Sequence, residues 1–221
     1  RLEVVAINDL SPVPVLAHLL KYDSIYGTYE KEVAVVADNK VVDQEGELTE
    51  ASHFTVPSGD AGHLVVGGKS ILVLAEKDPL TLPWRKLNVN VVLECTGRFT
   101  QTQEAEKHLS AGAKKVIVSA PLKGEGGPTM LLGVNEDAYQ NETIVSNASC
   151  TTNCIAPVAA VLQSEFGILK AMMTTIHAYT AEQNLVDGAP PSLHKDLRRG
   201  RAAGVNIVPT TSGATESAAR A

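Results

Sequence analysis

Long apolar runs are missing from this chain of 221 residues: no stretch of about 18 consecutive apolar residues occurs, so no segment reads as a membrane-spanning helix. Aromatic residues are scarce, at 4%, and basic charge is not in excess, the formal net charge being -6. Nucleic acid and anionic membranes are recognised by basic surface, with aromatics for stacking, so neither is expected as a partner. Cysteine is sparse. Cys95, Cys150 and Cys154 form an odd set, too small for a disulfide framework, which suits a reducing cytoplasm. No leader is expected, because Arg1-Leu2-Glu3 opens directly onto a strand-like run. What is present is 44% hydrophobic and 20% charged residues, enough for one large or two small domains with real cores.

Leu2 to Asn8 is a nearly all-apolar run of the kind a buried strand shows, and it ends in Asp9. Ser11-Pro12 suits an N-cap and first helical position, with Val15, Leu16, Leu19 and Leu20 as an apolar helical stripe. Short β-type runs follow at Val33 to Val36, Leu64 to Val66 and Ser70 to Ala75, with Gly67-Gly68 as a two-residue hairpin turn and 43–61 as an excursion. Asn90 to Glu94, Gln101 to Ala111 and Lys115 to Ala120 then read strand, helix, strand. This alternation predicts a doubly wound α/β fold with a parallel sheet, because parallel strands need crossover helices. Further on, a loop rich in small hydroxyl residues feeds a helix with the apolar pattern Ile155, Val158, Ala159, Leu162, and Met172 to Ala178 and Val205 to Val208 read as strands.

Cys150 is the strongest chemical candidate. It stands at the expected N-terminus of a helix, where unsatisfied amides and the helix dipole favour a thiolate, and Ser149 and Thr151 supply hydroxyls suited to a phosphate or an oxyanion. The competing interpretation is a small buried hydrophobe. Cys154, four residues on, reads as structural filler, and no zinc site is expected because no second ligand pair has the right spacing. His177, near the end of a strand-like segment, is placed to act as a base toward Cys150. His18, His53, His63, His108 and His194 read as surface or packing residues. Asp9, at the carboxyl end of the opening strand, has the position of a ribose-binding acid in a Rossmann domain, although no glycine fingerprint precedes it. Gly124 to Gly127 reads as a flexible loop, and Lys195, Arg198, Arg199 and Arg201 as a solvated or subunit-facing loop.

The string Ser146-Asn147-Ala148-Ser149-Cys150-Thr151-Thr152-Asn153-Cys154 resembles the active-site signature of phosphorylating glyceraldehyde-3-phosphate dehydrogenases. It is joined in order by Val5 to Leu10, His18 to Ser24, Thr96-Gly97-Arg98-Phe99, Met172 to Thr180, His194 to Arg199 and Pro209 to Ala214. The resemblance implies a Rossmann-like, doubly wound NAD-binding domain at 1–149, lacking its first strand and carrying an insertion near 37–61, then part of an α+β catalytic domain at 150–221. It implies Cys150 as nucleophile and His177 as base. Asn8, Asp9, Lys77, Thr96, Gly97 and Ser119 match cofactor positions, the acid at 9 favouring NAD over NADP. Ser149, Thr151, Ser212 and Gly213 match the site of the attacking phosphate, and Thr180 matches a position holding the substrate's own phosphate.

The implied partners are glyceraldehyde 3-phosphate and inorganic phosphate, with a cytoplasmic homotetramer for the full-length chain. The sequence departs from the family pattern at Ser212 for threonine, Glu182 for aspartate, a longer 37–61 segment and an enlarged 188–193 loop. Both ends of the family's chain are expected to lie outside these residues, which then form the middle of about 350. The alternatives are an erythrose-4-phosphate dehydrogenase, or an inactive remnant whose sheet leaves edge groups unpaired.

Overall fold

The computed structural model describes residues 2–37, 40–42, 48–50, 62–123, 127–190 and 196–221. Most of the 37–61 insertion, part of the enlarged 188–193 loop, the centre of the Gly124 to Gly127 loop, His53, His194 and Lys195 lie outside the described residues. Two compact units make up the chain, one of Arg1–Val92 with Lys107–Lys114, the other of Leu93–Glu106 with Lys115–Ala221. No helix among the described residues is long and apolar enough to cross a membrane.

In the first unit, β1 (Ala6–Asn8) is followed by α1 (Val13–Lys21), a small hairpin of β2 (Tyr22–Asp23) and β3 (Gly27–Thr28), and strands β4 (Val33–Ala37), β5 (Lys40–Val42), β6 (Leu48–Glu50), β7 (Gly62–Val66) and β8 (Lys69–Leu74). Six of these form one sheet in the order β1-β8-β7-β4-β5-β6. Only β1 and β8 pair in parallel, with Asn8 opposite Leu74; the β8-β7, β7-β4, β4-β5 and β5-β6 pairs are antiparallel. The α/β class holds, but this sheet is mixed rather than purely parallel. For β7 and β8 the cause is local, because strands joined by a tight turn must run antiparallel. Gly67 and Gly68 both have positive φ, +54° and +78°, the backbone that a two-residue type I′ turn demands.

Val33 and Val35 of β4, Leu64 of β7 and Val73 of β8 bury one face of this sheet against Val13 of α1, with Leu16 and Ala17 partly covered. Val15, Leu19 and Leu20, expected on the buried stripe, are instead exposed, because α1 begins at Val13 and turns a different face inward. Its N-cap is Pro12, without a side-chain bond, and not Ser11, whose backbone N–H donates to Asp9 Oδ1 at 2.7 Å. That Asx-type turn uses Asp9 to end the strand. A second cluster gathers Leu74, Leu82, Trp84, Val89, Val92 and Ala113. Trp84 Nε1 donates to Nδ1 of the buried His108 at 3.0 Å, so His108 is a packing residue that accepts at Nδ1.

The second sheet has three strands in the order β11-β10-β9, made by β9 (Val91–Glu94), β10 (Lys115–Val118) and β11 (Ile144–Ser146), with β10 and β11 parallel. α2 (Thr102–Ser110) connects β9 to β10, as the strand-helix-strand pattern predicted. α3 (Cys150–Phe166) follows β11 directly, and the seven-residue α4 (Ala214–Arg220) packs on it, Ala218 and Ala221 meeting the cluster of Leu131, Ala148 and Ala156.

Two expected strands are not formed. Met172 to Ala178 and Val205 to Val208 are irregular, with Met172, Ile176, Val205 and Ile207 almost fully exposed. A β-type sequence becomes a strand only against a hydrogen-bonded neighbour, and neither run has one among the described residues.

Candidate active site

The approach to Cys150 is built by a turn held from several sides. Ser146, fully buried at the end of β11, donates its hydroxyl to Ala120 O at 2.8 Å and accepts from Ala148 N at 3.0 Å. Asn147 N donates to Val118 O at 2.9 Å. Ala148 then takes φ +55°, a left-handed conformation unusual for a residue with a Cβ, and is itself buried. The next residue, Ser149, is extended and caps α3, its Oγ accepting from Thr152 N at 3.1 Å. Asn153 Nδ2 reaches back to Asn147 O at 2.8 Å and Ser149 O at 2.9 Å. Cys150 is thereby the first residue of a 17-residue helix, with the positive end of the dipole behind its sulfur.

His177 meets it. Cys150 Sγ lies 3.3 Å from His177 Nε2, and His177 Nδ1 is 2.6 Å from Ala178 O. A carbonyl oxygen only accepts, so Nδ1 carries a proton, and Nε2 is left to take one from the thiol. The hydrogen bond with His177 is the largest influence holding the Cys150 thiol below its ordinary pKa, aided by the backbone and hydroxyl of Thr151 and opposed by partial burial. His177 is pushed up in turn, chiefly by the Ala178 carbonyl and then by the bond and charge of Cys150. A lowered thiol and a raised imidazole both move the pair in the direction that favours thiolate with imidazolium. Both side chains are exposed, so a substrate has access to the sulfur. Cys154, read from the sequence as structural filler, is exposed as well, because α3 turns that face outward.

The remaining expected phosphate residues fall into two groups. Thr151 stands beside the sulfur, while Ser149 gives its hydroxyl to the cap, 2.8 Å from Thr152 Oγ1. Thr180 lies on an exposed turn where its N–H donates to Gln183 Oε1 at 3.1 Å, and Ser212 Oγ accepts from Ala214 N at 3.2 Å, with Gly213 as the N-cap of α4. No hydrogen bond joins Thr180, Ser212 or Gly213 to Cys150 among the described residues.

One residue does tie these segments together, and sequence reasoning missed it. Arg199 donates from Nη1 to Glu182 Oε2 at 2.5 Å and from Nη2 to Thr210 Oγ1 at 2.7 Å, its side chain largely covered. It therefore links the Thr180 turn to the segment leading into Ser212 and Gly213. Arg198 and Arg201 behave as the charge pattern suggested, pairing with Asp196 and Asp187 on exposed loop. Nothing in the basic run itself singles out Arg199.

The expected cofactor residues are best taken unit by unit. In the first, Asn8 donates to Glu76 O and accepts from Glu76 N, both at 2.9 Å, so its amide is spent on pinning the segment that carries Lys77 beside Asp9. Asn8, Asp9 and Lys77 thus share the carboxyl end of the parallel β1-β8 pair, where α/β sheets bind ligands. A carboxylate at that end is able to accept from sugar hydroxyls and would repel a phosphate, which fits NAD. In the second unit, Thr96 and Gly97 follow β9, and Ser119 follows β10 with its N–H on Glu94 O at 3.0 Å. No cluster of His, Cys, Asp and Glu suited to a metal ion occurs among the described residues.

Residues 149–220 match the family model described as glyceraldehyde 3-phosphate dehydrogenase, C-terminal domain, and residues 53–102 match the NAD binding domain of the same family. A glyceraldehyde-3-phosphate dehydrogenase of Geobacillus stearothermophilus is 49% identical over 220 residues, covering 99% of this chain and 57% of that protein. Glyceraldehyde-3-phosphate dehydrogenase 2 of Streptomyces avermitilis is 47% identical, with 99% and 57% covered. A chloroplastic glyceraldehyde-3-phosphate dehydrogenase of Chondrus crispus is 46% identical, with 99% and 47% covered. The chain spans little more than half the length of the curated relatives it matches first.

Proposed function

The chain belongs to the glyceraldehyde-3-phosphate dehydrogenase family, and from that premise we propose that its site oxidises glyceraldehyde 3-phosphate to 1,3-bisphosphoglycerate with NAD and inorganic phosphate. The observation that carries this reading is the contact of Cys150 Sγ with His177 Nε2 at the N-terminus of α3. The thiolate of Cys150 adds to the aldehyde carbon, and the imidazolium of His177 donates a proton to the oxygen, giving a thiohemiacetal. His177 then takes that hydroxyl proton back as the carbon gives up a hydride. NAD, when bound, supplies the acceptor for that hydride. Inorganic phosphate attacks the resulting thioester, the C–S bond breaks, and Cys150 leaves as the thiolate it began as.

Within this reading Thr151, Ser149, Ser212 and Gly213 are proposed to hold the attacking phosphate, and Thr180 the substrate's own. Asn8, Asp9 and Lys77 in one unit, and Thr96, Gly97 and Ser119 in the other, are proposed for the cofactor. The functional boundary is proposed between Ser149 and Cys150, and a cytoplasmic homotetramer is proposed for the full-length protein. The curated relatives carry the glyceraldehyde name, and none of those cited here supports the erythrose 4-phosphate alternative.

The test is formation of NADH from glyceraldehyde 3-phosphate by the full-length protein. Turnover that requires both NAD and inorganic phosphate is expected; no NADH, or NADH formed at the same rate without phosphate, would contradict the reading. In the same assay Asp9→Ala should raise the use of NADP relative to NAD, because a carboxylate that repels a 2′-phosphate has been removed. An unchanged ratio sinks the ribose assignment.

A further inference from the structure

We propose that Glu94 is a positioning residue for the cofactor loop: its buried carboxylate, from beneath, fixes the exposed Cys95 to Arg98 turn that bears Thr96 and Gly97. The inference rests on the functional reading above and adds a residue that reading does not use.

Glu94 ends β9 and is only 5% exposed, while the four residues after it are all exposed. Burying a carboxylate is unfavourable unless hydrogen bonds replace its water. Here the replacement is the turn itself. Glu94 Oε1 accepts from Thr96 N at 2.8 Å and also from the Thr96 hydroxyl. With its proton committed to Glu94, the Thr96 oxygen accepts from Arg98 N at 3.2 Å. Donors and acceptors therefore run in one direction, from Arg98 N–H through the Thr96 hydroxyl to the carboxylate.

The backbone agrees with this. Gly97 has φ +68°, and a Cβ built there would meet nothing within 4 Å, so glycine serves the turn's conformation and the space above it stays open. The main chain of Glu94 also accepts from Ser119 N at 3.0 Å. A single residue thus holds Thr96 by its side chain and Ser119 by its carbonyl, two of the positions proposed for the cofactor. Presenting them already ordered lowers the entropy lost when a ligand binds.

Three variants of the full-length protein test this: Glu94→Ala removes the acceptor, Glu94→Asp withdraws it by one methylene with the charge kept, and Glu94→Gln keeps an oxygen in reach without the charge. The dissociation constant for NAD, measured by calorimetry, is expected to rise about tenfold or more in the Ala and Asp forms, and amide exchange at Thr96 and Arg98 to quicken. Glu94→Gln should recover most of both losses, and alkylation of Cys150 should proceed at the parent rate throughout. If Glu94→Ala fails to fold, the Asp and Gln pair still decides. Parent-like NAD affinity in Glu94→Asp, or equal weakening in Asp and Gln, would overturn the proposal. A parent protein that binds no NAD would overturn the functional reading instead, and is seen before any variant is made.

Discussion

Cys150→Ser is expected to lower phosphate-dependent NADH formation by at least about 10³-fold. The reason lies in what the surroundings of position 150 supply. His177 first, then the Thr151 donors, hold the thiol below its ordinary pKa, at a helix N-terminus that favours the same charge. The same influences do not bring a serine hydroxyl, which ionises far less readily, anywhere near an alkoxide at neutral pH. Serine also forms an oxygen ester, a poorer acyl donor to phosphate than a thioester. Binding of NAD should survive, because no residue proposed for the cofactor is altered. Loss of activity with retained NAD affinity, read by calorimetry, separates a chemical defect from an unfolded protein.

His177→Asn is the second large effect, with a fall of about 10²- to 10⁴-fold expected in turnover. The asparagine approximates the shape of part of the ring but cannot cycle a proton. Two consequences should separate in experiment. The hydrogen bond with His177 is the largest cause of the lowered Cys150 pKa, so without it the thiol titrates at higher pH. A group whose folded pKa is depressed gains its charged form earlier as pH rises; removing the cause delays that gain. The pH profile of Cys150 alkylation should therefore move upward in the variant, the helix N-terminus and Thr151 limiting the move. At pH values above both profiles the two alkylation rates should converge, while turnover does not recover, since the proton carrier is still absent. A profile that stays in place would show that His177 does not set the thiol's ionisation.

The effect on His177 is reciprocal. The Ala178 carbonyl and the Cys150 sulfur raise the pKa of His177, so its imidazolium persists to higher pH than in an ordinary histidine. Both shifts thus act in the same sense, toward the thiolate-imidazolium pair.

Much of this site was legible in the sequence because its parts are local. A loop of small hydroxyl residues feeding an apolar helical pattern places the helix N-terminus at Cys150 from a few adjacent residues, and the structure adds Ser149 as its cap. The Gly67-Gly68 turn and the strand-helix-strand from Val91 to Val118 were readable for the same reason. What escaped depended on distant partners. Arg199 is distinguished from Arg198 and Arg201 only by Glu182 and Thr210, 17 and 11 residues away. Met172 to Ala178 has β-type composition, but pairing, not composition, makes a strand. The amide of Asn8, a residue proposed for the cofactor, meets Glu76, 68 residues on, a partner that no local pattern announces. The face that α1 buries likewise depends on where β4, β7 and β8 place Val33, Leu64 and Val73.

Cys150 is proposed to carry the substrate as a thioester. This is tested most directly by incubating the full-length protein with glyceraldehyde 3-phosphate and NAD in the absence of inorganic phosphate, quenching in acid and mapping the adduct by peptide mass spectrometry. The expected result is a 3-phosphoglyceroyl group on Cys150 that disappears when inorganic phosphate is added before the quench. An unmodified Cys150 in a protein that still forms NADH, or the acyl group found on Cys95 or Cys154 instead, would contradict it.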